Sequence, residues 1–208
     1  MTDITILIYE FIILILAIMV HEISHGTMAN FLGDSTAKDA GRLSFNPARH
    51  FEFWGSFLLP LLLFFLSGGR LIFGWARPVP FNPNNLKKPK RDTGLIGLAG
   101  PLSNFLMALV FGIFIRLIVH FQLAALVKII PFFDLIVQIN LMLAIFNIVP
   151  IPPLDGSKIL FSLLPRPAER VMFVLEQYGM FFLLVFIFFG FQYLVPIIDW
   201  FRFWIIGG

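Results

Sequence analysis

The chain of 208 residues contains no cysteine, and only 13% of it is charged. Without thiols there is neither a disulfide framework nor a thiolate metal site, so any bound metal must be held by histidine and carboxylate. So little charge, beside 59% hydrophobic residues and 27 phenylalanines, cannot clothe a water-soluble domain. The chain also lacks a basic helix face and any alternation of aromatic with basic residues, so the expectation is no nucleic acid partner. Its first apolar run has no basic flank and no small-residue cleavage site, so it is expected to persist as a working helix and not as a removed signal peptide. With no internal repeat and no stretch long enough for a separate soluble domain, we expect one membrane domain over residues 1–208, with its core at about 4–157 and a C-terminal helix at about 171–195.

Long apolar runs are what the chain has in abundance. They occupy residues 4–20, 51–66, 95–119, 132–149 and 171–195, and about 20 helical residues cross about 30 Å of hydrocarbon. The fold class expected is therefore all-α: a polytopic membrane protein with about four spanning helices, set in the lipid bilayer of the cell membrane. Residues 51–66 carry Gly55 and Pro60 inside the run and lead into Ser67-Gly68-Gly69, which favours one re-entrant segment over a full crossing. Residues 35–50 mix Gly, Pro, Asn and short apolar alternation, suiting turns or a small membrane-associated β-hairpin. Nine of the fifteen Lys and Arg residues fall between Lys38 and Arg91, and Lys158, Arg166 and Arg170 follow the fourth run. The positive-inside tendency puts both regions in the cytoplasm and the N-terminus outside.

Chemistry concentrates at His21-Glu22-Ile23-Ser24-His25, at the end of the first run. On a helix, residues four apart lie on one face, so two imidazoles can share an ion while Glu22 stands beside it as a general base. Catalytic zinc takes three protein ligands and keeps a fourth position for water. Asp155, after the broken segment Pro150-Ile151-Pro152-Pro153, is the leading third ligand, with Asp134, Asp92 and Glu176 as rivals. Irregular backbone at membrane depth is tolerated where it lines a polar cavity. If His21, His25 and Asp155 meet at one depth, the chain between the first helix and the helix starting near residue 94 must leave and return on the same side. Asn147, near the end of an apolar helix, needs a partner: a substrate backbone, a developing oxyanion or a neighbouring helix. Asn104 and Asn140 fit interhelical hydrogen bonding, Glu10 an interface, His50 and His120 solvated loops, and Arg116 a side chain reaching for the membrane surface.

The segments His21-Glu22-Ile23-Ser24-His25-Gly26, Gly74-Trp75-Ala76-Arg77-Pro78-Val79-Pro80, Gly100-Pro101-Leu102-Ser103-Asn104, Asn147-Ile148-Val149-Pro150 and Leu154-Asp155-Gly156 occur in that order. Together they resemble the site-2 protease family of intramembrane zinc metalloproteases, in its compact prokaryotic form without a PDZ or nucleotide-sensing domain. The resemblance implies a zinc ion (Zn2+, one per chain) on His21, His25 and Asp155, with Glu22 as catalytic base and Asn147 as a further catalytic contributor. It also implies that Asn104 lies near the substrate path. The expected reaction is hydrolysis of transmembrane protein or peptide substrates near the cytoplasmic side, in regulated intramembrane proteolysis. The rival from another class is a membrane metal-binding or transport protein using the same His/His/Asp site. Glu22 argues against it, because transport needs no base beside the ligands. The sequence carries no signal for an oligomeric state.

Overall fold

A computed structural model describes residues 3–49, 58, 62, 77–165 and 169–207. Every regular element among them is helical. In chain order these are α1 (Asp3–Phe31), α2 (Thr36–Asp39), α3 (Pro89–His120), α4 (Ile130–Ile148), α5 (Asp155–Leu163), α6 (Glu169–Val185) and α7 (Val195–Ile206). Among the described residues four stretches are long and apolar enough to cross a membrane: Thr5–Phe31, Pro89–His120, Ala124–Ile148 and Val171–Tyr193. The chain is thus an all-helical, multi-pass membrane protein.

Proline sets several of these boundaries. α3, α4 and α7 each carry proline in the first turn, where the missing N–H would have no helical partner. The long C-terminal run does not continue as one helix. After Val185 it passes through a π-turn at Phe186–Gly190 and a 3-10 turn at Phe191–Tyr193 before α7 begins. The single helix expected at about 171–195 is thus shorter, and α7 follows it as a separate helix. Pro196 starts α7, its missing N–H falling in the first turn, whereas α6 has already ended at Val185.

α3 is the central helix, packed against α1, α4, α5 and α7. His25 of α1 meets Ile96 near the start of α3, while Ala17 meets Asn104 further along it, so the two helices are antiparallel. Tyr9 near the start of α1 stacks edge-on against Phe132 at the start of α4, with ring centroids 4.9 Å apart. The end of α1 and the start of α3 therefore lie at the same end of the bundle, as co-ligation by His21, His25 and Asp155 requires. The re-entrant segment expected at 51–66 and His50 fall outside the described residues.

The stretch after α1 adopts the turn alternative and not the hairpin. Residues Thr36–Asp39 form one helical turn and Pro47–Arg49 a 3-10 turn, with no strand among the described residues. Local hydrogen bonding decides this: Asp34 accepts from the Thr36 amide and hydroxyl, and Asn46 accepts from the Ala48 amide. Such side-chain bonds turn the backbone and compete with strand pairing.

Candidate active site

Two helices and a broken turn bring the ligand candidates together. His21 and His25 project from one face of α1, their rings nearly perpendicular with centroids 4.6 Å apart. Asp155 opens α5, reached through the turn at residues 149–154 that follows α4. Gly156 permits this approach, because a Cβ there would lie 2.0 Å from the Ile148 carbonyl oxygen. Gly100 does the same from α3, where a Cβ would lie 2.5 Å from His25 Nε2 and 2.6 Å from His21 Nε2.

The three donor atoms form a near-equilateral triangle. His21 Nε2 and His25 Nε2 lie 2.9 and 3.0 Å from Asp155 Oδ2 and 3.0 Å from each other. All three residues are buried, with 5–6% exposure. Their tautomers follow from the atoms behind them. His25 Nδ1 lies 2.6 Å from the Ile96 carbonyl oxygen, an acceptor, so Nδ1 carries the proton and Nε2 a lone pair. His21 Nδ1 lies 2.6 Å from Asn104 Oδ1. Asn104 can present only oxygen there, because its Nδ2 donates to the Ala17 carbonyl at 3.2 Å and to Asn140 Oδ1 at 2.9 Å. Asn140 is fixed in turn by its Nδ2 donating to the Ile136 carbonyl. With both rings neutral, two imidazole lone pairs and a carboxylate oxygen face one point.

That is a cation's donor set. A tetrahedral zinc with bonds of about 2.0–2.1 Å separates its donors by about 3.3 Å, so the triangle needs to open by only a few tenths of an ångström. Neutral histidine and carboxylate, each held by an outer hydrogen bond, match the pattern of zinc sites. The Glu22 carboxylate also comes within 4.8 Å of both histidines. Its Oε2 accepts the Val79 backbone N–H at 2.9 Å, whereas Asp155 makes the direct contacts. Asp155 Oδ2 is thus the carboxylate oxygen in direct contact with both histidines, and Glu22 stands beside them.

These groups line a cavity of about 430 Å³. Leu143, Phe146, Met180 and Leu183 give it an apolar wall, and Pro78, Val79 and Phe81 form a strap along another side. Asn147 lines the cavity, its Nδ2 donating to the Leu143 carbonyl at 3.0 Å. Asn104, fully buried, stands behind His21 and is not among the cavity-lining residues. The rival acids are engaged elsewhere. Asp134 pairs with Arg202 through two contacts of 2.5 and 2.7 Å, and Asp92 accepts the Lys88 backbone N–H at the start of α3. Glu176 is exposed on α6 and does not line the cavity. Lys158 was read from sequence only as a topology charge, but its Nζ lies 2.8 Å from Asp155 Oδ1. The signal was available: three residues after an acid that opens a helix, a lysine reaches back over that turn.

Comparison with known proteins places the chain in a family. The chain is 38% identical over 182 residues to the candidate zinc metalloprotease YwhC of Bacillus subtilis (strain 168), covering 85% of this chain and 78% of the relative. A family profile described as Peptidase family M50 matches residues 116–189. The chain belongs to peptidase family M50, the site-2 proteases. This M50 member is a metalloprotease, which displaces the transport reading. It is also similar to the candidate zinc metalloprotease Rip2 of Mycobacterium tuberculosis, 28% identical over 82% of this chain and 63% of the relative. A shorter match, 46% identical over 69 residues, covers 33% of this chain and 34% of the candidate zinc metalloprotease MJ0611 of Methanocaldococcus jannaschii. No solved structure matches the chain.

Proposed function

We propose that this M50 metalloprotease hydrolyses peptide bonds within or near transmembrane segments of membrane proteins. In this reading one zinc ion per chain is held by His21, His25 and Asp155, and Glu22 acts as general base. The observation that carries it is the convergence of the two histidine Nε2 atoms and Asp155 Oδ2 within 2.9–3.0 Å, with a second carboxylate alongside. Bound zinc supplies a Lewis acid that lowers the pKa of a water towards 7 and polarises the scissile carbonyl.

The chain's own groups do the rest. Glu22 takes a proton as the water oxygen bonds to the carbonyl carbon, then delivers that proton to the amine nitrogen as the C–N bond breaks. Asn104 and Ile96 hold the two imidazoles in the ligating tautomer. Lys158 pairs with Asp155 Oδ1 and leaves Oδ2 facing the histidines. Asn147 has a second N–H and its carbonyl oxygen beyond the bond to Leu143, enough to engage a substrate backbone. An apolar cavity wall suits side chains drawn from a transmembrane helix. The charge bias of residues 38–91 supports an external N-terminus and an active site towards the cytoplasm.

Zinc content and cleavage of a transmembrane test peptide separate the roles. Glu22→Gln is expected to keep zinc and lose about 10²–10⁴-fold in cleavage, and Asp155→Ala to lose both. Cleavage retained by Glu22→Gln would remove the proposed mechanism.

A further inference from the structure

The strap Pro78-Val79-Pro80 supplies no metal ligand, yet it meets the site at Glu22. Proline has no backbone N–H, so Val79 carries the single main-chain donor in these three residues. That donor is bonded to Glu22 Oε2 at 2.9 Å. The two prolines also drive the residues before them, Arg77 and Val79, towards extended backbone.

The strap is anchored independently of the glutamate. Arg42, itself buried, donates from its guanidinium to the carbonyls of Arg77 at 2.7 Å and Pro78 at 3.3 Å. On the other flank, Asp34 accepts the Asn82 amide at 2.7 Å and the Asn85 side chain at 2.7 Å. α1 has glycine where the strap presses closest: a Cβ on Gly26 would lie 2.9 Å from Val79 Cγ1. The amide is thus placed by contacts outside the metal site, and it cannot rotate away as a side-chain donor could.

We propose that the Val79 backbone N–H is the positioning group for the catalytic base. It holds Oε2 of Glu22, so that Oε1 is the oxygen left to take and return the proton. An unheld glutamate side chain samples several rotamers, and misplacement by about 1 Å can cost about 100-fold in rate. The inference rests on the reading of Glu22 as base.

The test replaces Val79 with its α-hydroxy acid counterpart by nonsense suppression, which exchanges the amide N–H for an ester oxygen and keeps the side chain. Expected is a fall in kcat of about 10–100-fold, with zinc content and KM within about twofold of wild type. Val79→Pro, which also removes the N–H, is expected at least about tenfold below Val79→Ala in kcat. An ester variant with wild-type kcat overturns the proposal, and so does a loss of kcat that merely tracks a loss of zinc. Glu22→Gln measured in parallel keeps the two ideas apart. If it cleaves, the base reading itself fails; if it is silent beside a fully active ester variant, only the role of Val79 fails.

Discussion

Two sets of buried contacts hold the same helices, α3 and α4, by different dominant means. Around the candidate site polar, directional contacts link the helices, beside a small apolar cluster of Ala29, Leu86 and Ile96. Asn140, Asn104 and His21 form one chain of hydrogen bonds across α4, α3 and α1, ended at main-chain carbonyls. Running from mid-bundle to the far end, Ala108 and Ile115 of α3, Val137 and Leu141 of α4, and Ile198 and Ile205 of α7 form an apolar cluster. The ion pair Asp134–Arg202 adds one polar link between α4 and α7. In lipid, apolar faces gain little by leaving hydrocarbon, so shape must hold the far end, while unsatisfied polar groups forbid disorder at the ligand end.

The sharpest way to break this contrast touches no ligand. Gly100→Ala puts a carbon within 2.5–2.6 Å of both Nε2 atoms, and we expect zinc affinity to fall at least about 100-fold, measured by chelator competition. Asn104→Leu comes next. It removes the acceptor behind His21 and leaves Asn140 Oδ1 and the Ala17 carbonyl without their donor. Zinc affinity should fall about 10–100-fold, with the absorption spectrum of the cobalt-substituted protein altered. If neither variant changes zinc binding, the ligand end is held by packing after all and the contrast is lost.

The far end should respond in the other currency. Ile205 packs so closely on α3 that a Cβ at Gly112 would lie 2.1 Å from its Cγ2. Ile205→Ala is expected to cost about 1–2 kcal/mol of bundle stability, below the about 2–5 of a soluble core because lipid tails can solvate the exposed face. Zinc affinity should stay within about twofold. Unfolding in mixed micelles, with and without chelator, gives both numbers.

The same contrast explains what could be read from the sequence. His21, Glu22, His25 and Asp155 announce themselves because such residues are rare so close to the ends of apolar runs, and the parity expectation follows from placing them at one depth. The four spanning stretches were legible from run length alone. α7 was not, because Val195–Ile206 extends an already apolar run and only Pro196 marks its start. Arg116 was read as reaching for the membrane surface, yet its guanidinium donates to the carbonyls of Trp204 and Ile205 at the end of α7. A helix that was not foreseen could not be assigned as its partner. The Val79 contact with Glu22 was equally hidden, since a backbone donor 57 residues away leaves no side-chain signature.

The smallest expected effect lies at Asp34, outside the spanning helices, where the strap is tied to the end of α1. Burial pushes the Asp34 carboxyl up, but hydrogen bonds from Thr36, Asn85 and Asn82 outweigh it and hold the group below its ordinary value. A carboxylate with a depressed folded-state pKa contributes stability above its unfolded pKa of about 3.9, and that contribution is lost as pH falls through the lower folded value. The tie should therefore be indifferent to pH from 8 down to about 5 and weaken only in stronger acid. Exchange of the Asn82 amide hydrogen reports it directly, because that N–H is bonded to Asp34 Oδ2. Asp34→Asn keeps one acceptor and loses the charge, so at neutral pH it should speed that exchange and lower kcat by only about two- to fivefold, with zinc retained. Faster exchange at Asn82 with kcat untouched would mean that the strap at Glu22 is held by Arg42 alone.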